Sequence, residues 1–227
     1  MNSVLNERLA QNSKLKVLYD RVRAIPPVDA GHDFSHTERV AKLCAQIVSD
    51  EMIVEFHRAA TLAEIDSSIA AGLLHDCIPV PKNSPLRFES ARLCSEKAHE
   101  WLSEFKWKAD EIPIITDAIL KHSYSAGLVP ESLLGKVLQD ADRLEALGAL
   151  GLFRTIATGV FMGAELFDKT DPWAKKRALD DKRFTIDHFF TKLLKLPETF
   201  RTRTAKNEAI RRANYLQAFV VQLKSEI

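Results

Sequence analysis

The sequence predicts an all-α fold, and three observations carry that expectation. Apolar residues recur at helical spacing through most of the chain. No run alternates apolar and polar residues for long enough to require a sheet. Only 8 Gly and 9 Pro occur in 227 residues, too few for a turn-rich β-barrel or sandwich. With 46% hydrophobic and 28% charged residues, the chain has the balance of a globular protein rather than a disordered one.

The elements follow in order. Val4, Leu5, Leu9, Leu15, Leu18 and Val22 share one face of a first helix, which Pro26-Pro27 stops. A loop over 28–34 comes next. Ser35 and Glu38 have the spacing of a capping box, so a second helix is expected to open at His36, with Val40, Leu43, Cys44, Ile47 and Val48 inward. A third is expected over about 57–76, with Ile65, Ile69, Leu73 and Leu74 inward. Pro79, Pro81 and Pro85 write a loop. Two helices are expected near 89–107 and 110–123, then a long helical segment over about 132–158. Gly148, Gly151, Gly159 and Gly163 fall in or just after its second half. Glycine inside a helix costs about 0.5–1 kcal/mol, so close packing or a bend is expected there. The polar stretch 167–182 carries Pro172, Trp173 and Leu179 and reads as a structured surface loop. Helices near 184–195 and 199–226 finish the chain, which reads as one domain over 1–227.

Charge and cysteine content exclude several classes. Lys+Arg is 32 and Asp+Glu is 31, a formal net charge of +1, so no basic surface for specific nucleic-acid binding is expected. The three cysteines, Cys44, Cys77 and Cys94, form no CxxC, which rules out a zinc ribbon or thioredoxin-type motif and fits a reducing compartment. The charged N-terminus lacks the apolar core of a signal peptide, and no stretch reaches the roughly 18 uncharged apolar residues of a membrane helix. A cytoplasmic protein with no membrane partner is expected.

The chemistry sits in a few short strings. His75-Asp76 closes the apolar run AAGLLHD, just before the proline loop. An imidazole and a carboxylate at an element end can converge on a metal ion, or they can be a dipole-favoured histidine beside a solvated aspartate. His36, in GHDFSH, is either a site residue or an ordinary helix-entry histidine. Asp140 and Asp142 lie in QDADRLEALGALG, flanked by Val137, Leu138, Leu144 and Leu147. A carboxylate in such a run must be paired, hydrogen-bonded or metal-bound. Two residues apart on a helix, the pair face nearly opposite ways, and periodicity does not choose between them.

These strings together resemble the H…HD…D signature of the HD-domain metal-dependent phosphohydrolases, in particular the small bacterial single-domain branch. The match is His36, then His75-Asp76, then Asp142 within ADRL, with GHDFSH, LLHD, ILKHSYS, GKVLQDADRLEALGALGLFR and LDDKRFTIDHFFTKLLKLP as supporting strings over about 31–200. The resemblance implies an all-α HD-domain bundle with a metal-binding core over about 28–160 and C-terminal helices over 183–227 packed on it. It implies one divalent cation held between helices by His36, His75, Asp76 and Asp142, and it selects Asp142 over Asp140. Two imidazoles and two carboxylates suit Mn2+ first, then Co2+, Ni2+, Fe2+ or Zn2+, and Mg2+ less well. The activity implied is metal-dependent phosphohydrolysis, in which a metal-activated water attacks a phosphate ester or anhydride, with a small phosphorylated substrate, a nucleotide by family analogy. Asp76 and His122 are the expected catalytic residues; Lys82, Arg87 and His122 are expected to bind substrate.

The chain departs from the family in places. Cys77-Ile78-Pro79-Val80-Pro81-Lys82 stands where many relatives have Ile-Gly, and the Glu-Asp pair of the guanosine-tetraphosphate hydrolases is absent. Cys77 reads as structural rather than nucleophilic. His99 and His122 lie where binuclear relatives place extra ligands, but His99 sits on an exposed face; His188, between aromatics, reads as a core residue, and His32 borders the site. Asp33 is a candidate for orienting a ligand histidine. A nucleotide pyrophosphohydrolase or phosphodiesterase is the alternative reaction; a non-catalytic nucleotide-sensing protein that keeps its metal is the alternative class. A homodimer is left open.

Overall fold

The computed structural model describes residues 4–26, 33–80, 84–123 and 127–227. Its regular structure is helical: α1 (Val4–Gln11), α2 (Ser13–Arg23), α3 (Phe34–Phe56), α4 (Leu62–Leu74), α5 (Ser90–Glu104), α6 (Glu111–Lys121), α7 (Leu133–Leu144), α8 (Gly148–Phe161), α9 (Asp187–Thr191) and α10 (Arg203–Glu226), with 3-10 turns at Pro85–Glu89 and Leu193–Thr199. Among the described residues the one β contact is an isolated bridge between Glu165 and Phe184. No single described helix is long and apolar enough to cross a membrane. The chain divides into two compact units, Met1–Asp142 and Arg143–Ile227.

In the first unit, α3 and α4 lie side by side, α4 also meets α2 and α6, and α5 packs on α6. Leu15, Leu18, Val40, Cys44, Ile69, Leu73, Leu102, Ile115 and Ile119 fill the core between them. The closest approach is at Gly72 of α4: a Cβ there would stand 2.6 Å from the Ala41 Cα of α3. Only glycine lets the two backbones meet that closely. The N-terminal segment is clamped to α4 by a buried ion pair. Arg8 donates from Nε to Asp66 Oδ1 at 2.7 Å and from Nη2 to Oδ2 at 2.9 Å, and Asn12 Nδ2 adds a bond of 2.8 Å.

Several boundaries differ from expectation, each for a local reason. The expected first helix is two helices, because Asn12 turns its side chain to cap Lys14 and Leu15 of α2. The helix expected over 57–76 starts at Leu62. Thr61 is its N-cap and forms a full capping box with Glu64, while His57 ends α3 in the left-handed conformation at φ 54°. The N-cap of α3 is Asp33, not Ser35, and the helix begins at Phe34.

The segment expected to be one long helix over 132–158 is two helices, α7 ending at Leu144 and α8 beginning at Gly148, whose φ of 73° favours glycine. Arg212 donates to the Leu144 carbonyl at 2.8 Å, and Arg143 to the Thr199 carbonyl at 2.7 Å. The stretch 167–182 is ordered by its own carboxylates. Asp168 accepts from Thr170 N and Asp171 N, Asp171 from Lys175 N and Lys176 N, and the buried Asp187 takes the Arg177 guanidinium at 2.9 Å. His188 is not a core residue: it is half-exposed and its Nδ1 meets Asp181 at 3.0 Å.

Candidate metal centre

Three helix ends in the first unit bring the chemistry together. His36 lies in the first turn of α3, and the Asp33 carboxylate accepts from its backbone N–H at 3.1 Å. Asp33 therefore positions His36 through the main chain. His75 is the C-cap of α4, and Asp76 follows in the turn. One ligand atom from each of His36, His75 and Asp76 falls within 4.8 Å of the others. Asp142, from α7, reaches His36 Nε2 at 3.5 Å. Asp142 stands beside His36 but is not one of the three clustered residues, while Asp140, two residues earlier, is fully buried on the same helix.

The imidazoles are oriented from behind. His75 is fully buried, and its Nδ1 lies 2.8 Å from the Gly72 carbonyl. A carbonyl only accepts, so Nδ1 carries the proton toward it. Among the described residues Nε2 has no hydrogen-bond partner although buried, and it faces Asp76 Oδ2 at 3.4 Å. An orphaned, deeply buried imidazole nitrogen beside two carboxylates is the arrangement a divalent cation would satisfy. His122, the C-cap of α6, repeats the device: its Nδ1 is 2.6 Å from the Ile119 carbonyl, and its ring stands edge-on to His75 at 5.2 Å. The ring of His36 meets the other side of His75 at 5.4 Å. These i−3 carbonyl anchors were missed in the sequence; their only local sign is a histidine just beyond a helix end.

The imidazoles are sealed, whereas the Asp76 and Asp142 side chains are 31% and 32% exposed. The centre therefore opens to solvent on its carboxylate side. The charges of the group act strongly on one another. Burial alone would depress His75, but Asp76 and then Asp142 outweigh it and raise the imidazole to about 9. Burial works to raise both carboxyls, yet the surrounding histidines, His75 foremost, hold Asp76 well below the ordinary range and Asp142 below it. His122 is lowered, first by burial and then by the charge on His75, so it is neutral near pH 7.

The other expected residues are placed as follows. Lys82 and the Arg87 side chain lie outside the described residues, as does His32. His99 is exposed on α5 and is not among the clustered ligands. Cys77 is buried, and its thiol sits 3.7 Å from the Cys94 carbonyl, while Cys94 Sγ accepts from Ile78 N at 3.4 Å. These contacts fasten the turn after Asp76 to α5.

Comparison with known proteins gives consistent results. A family model described as HD domain matches residues 33–147, which contain all five residues of the centre. The chain is 32% identical over 202 residues to YpgQ of Bacillus subtilis, a protein of uncharacterised function, covering 87% of this chain and 85% of that one. The crystal structure of Bacillus subtilis YpgQ in complex with ADP superposes with a TM-score of 0.69 at 27% identity, over 95% of each chain. An HD-superfamily hydrolase from Bacillus thuringiensis gives a TM-score of 0.70 at 29% identity, over 94% of this chain and 96% of its own.

Proposed function

The chain belongs to the HD-domain family of hydrolases, and from that premise we propose that it is a metal-dependent phosphohydrolase acting on a phosphate ester or anhydride of a nucleotide. The observation that carries this reading is the convergence of His36, His75 and Asp76 within 4.8 Å, with Asp142 beside His36 and the buried Nε2 of His75 unpaired. The ADP bound by the related YpgQ supports the nucleotide part.

In this reading His36, His75, Asp76 and Asp142 hold one divalent cation, Mn2+ by preference. Bound there, the cation supplies a Lewis acid for a phosphoryl oxygen and acidifies a coordinated water. The chain's own residues do the rest. Gly72 keeps His75 in the tautomer that presents Nε2. The two carboxylates line the open side, where a phosphate must enter. His122 is neutral with its proton on Nδ1, so its Nε2 carries a lone pair. It acts as a hydrogen-bond acceptor and proton acceptor toward the attacking water, and donates to a leaving oxygen only after gaining that proton. Lys82 and Arg87 hold the remaining phosphate oxygens.

The test is a panel of nucleotides and phosphomonoesters, with protein stripped and refilled with Mn2+, Co2+, Ni2+, Zn2+ or Mg2+, and Asp76→Ala run beside it. Metal-dependent turnover that the variant lacks is the expected result. Release of inorganic phosphate, pyrophosphate or nucleoside monophosphate identifies the bond cut. Stoichiometric metal binding without turnover of any compound would overturn the enzymatic reading in favour of nucleotide sensing.

A further inference from the structure

Gln139 is fully buried on α7, one turn before Asp142, and no step above uses it. Its Nε2 donates to the Lys121 carbonyl at 3.1 Å and toward the Leu128 carbonyl at 3.5 Å. Lys121 ends α6 and is bonded directly to His122; Leu128 lies within the connection that leads on to α7. One amide therefore ties the end of α6 and a point on that connection to the helix that carries Asp142. The amide cannot be turned over, because its oxygen would then face two carbonyl oxygens. Among the described residues its Oε1 has no hydrogen-bond partner despite complete burial. A side chain kept buried with one polar atom unsatisfied is an expensive way to fill a core.

We propose that Gln139 is a positioning residue for His122: it fixes the end of α6 so that the His122 ring stays edge-on to His75 and presents Nε2 to the centre. This rests on the reading of His122 as a site residue, not on any ligand role for Gln139. Leucine would fill the space but release both carbonyls. Asparagine keeps the amide but is one methylene too short to reach them.

The experiment uses 15N-labelled full-length protein loaded with Zn2+, comparing wild type, Gln139→Leu and Gln139→Asn. Imidazole 15N–1H spectra are expected to show the His122 signals shifted in both variants, with those of His36 and His75 in place. Zn2+ affinity, measured by calorimetry, is expected to stay within about twofold. Turnover of a nucleoside triphosphate by the Mn2+ form is expected to fall in kcat by about 10–100-fold, the size of effect seen when an orienting partner is lost. In a His122→Ala background, Gln139→Asn is expected to cost nothing more. Unchanged His122 signals in Gln139→Asn, or losses that multiply across the double variant, would overturn the proposal. Full turnover by His122→Ala alone would instead overturn the catalytic reading of His122, while the ring signals would still decide whether Gln139 positions it.

Discussion

His75 shows how much one residue can be asked to do. Its Nδ1 is spent on Gly72, its Nε2 faces Asp76 at 3.4 Å in a sealed site, and the charges of Asp76 and Asp142 raise the imidazole to about 9. Replacing it with alanine is expected to abolish metal binding and turnover together, read by metal analysis and product release. Asp142→Ala is expected to weaken metal binding by more than the roughly 10–100-fold that loss of an outer partner costs, because it removes a ligand atom rather than its support. Asp140→Ala provides the contrast. That carboxylate is fully buried, so its loss is expected to lower the denaturation midpoint while metal stoichiometry persists. Equal metal content in the Asp142→Ala and wild-type proteins would refute the fourth ligand. The four residue types and their order were legible in the sequence; which ring nitrogen is free was not, since it depends on carbonyls set by helix ends.

At the scale of elements, α4 is the part on which the centre depends. It holds Gly72 against Ala41 of α3, presents the Gly72 carbonyl to His75 and ends at the ligand pair. Gly72→Ala would drive a methyl into the α3 backbone. It is expected to cost about 1–3 kcal/mol in urea denaturation and to reduce metal affinity, because the two ligand-bearing helices must move apart. The start of α4 makes a pH-dependent prediction. The Arg58 guanidinium first, then the Thr61 backbone and hydroxyl, overcome slight burial and lower the Glu64 carboxyl to about 2. A folded value below the unfolded one stabilises the protein above the unfolded value of about 4.3. That stability is lost as pH falls toward 2. Glu64→Gln is expected to cost about 1 kcal/mol at pH 7, after allowance for solvent screening, and almost nothing near pH 2. Denaturation curves at the two pH values measure the difference. The TLAE string that writes this cap was in the sequence, yet the apolar spacing from 57 onward ran past it. Periodicity marks a helix better than its ends, where a single side-chain hydrogen bond decides.

For the whole molecule, the proposed metal centre, assembled from α3, α4 and α7, would couple metal to stability. Those helices come from positions 36, 75–76 and 142, so a cation that binds only the folded arrangement must favour it. Saturation at about 100 times the dissociation constant adds about 2.7 kcal/mol. Chelation is therefore expected to lower Tm by roughly 5–10 °C, at the 2–4 °C per kcal/mol usual for this chain length. Stripped Asp142→Ala protein is expected to show no response to added Mn2+ in the same melt. The sequence by itself determined the helical class and, through its resemblance to the HD signature, the residues proposed as ligands and their order. It did so because helical periodicity and short motifs are local and are written in neighbouring residues. Tertiary structure alone decided that Asp142 lies beside His36, that Gly72 and Ile119 orient two imidazoles, and that Gln139 spans from α7 to the end of α6. The first and last are distances between segments far apart in the chain, and the carbonyl anchors depend on where packing ends each helix.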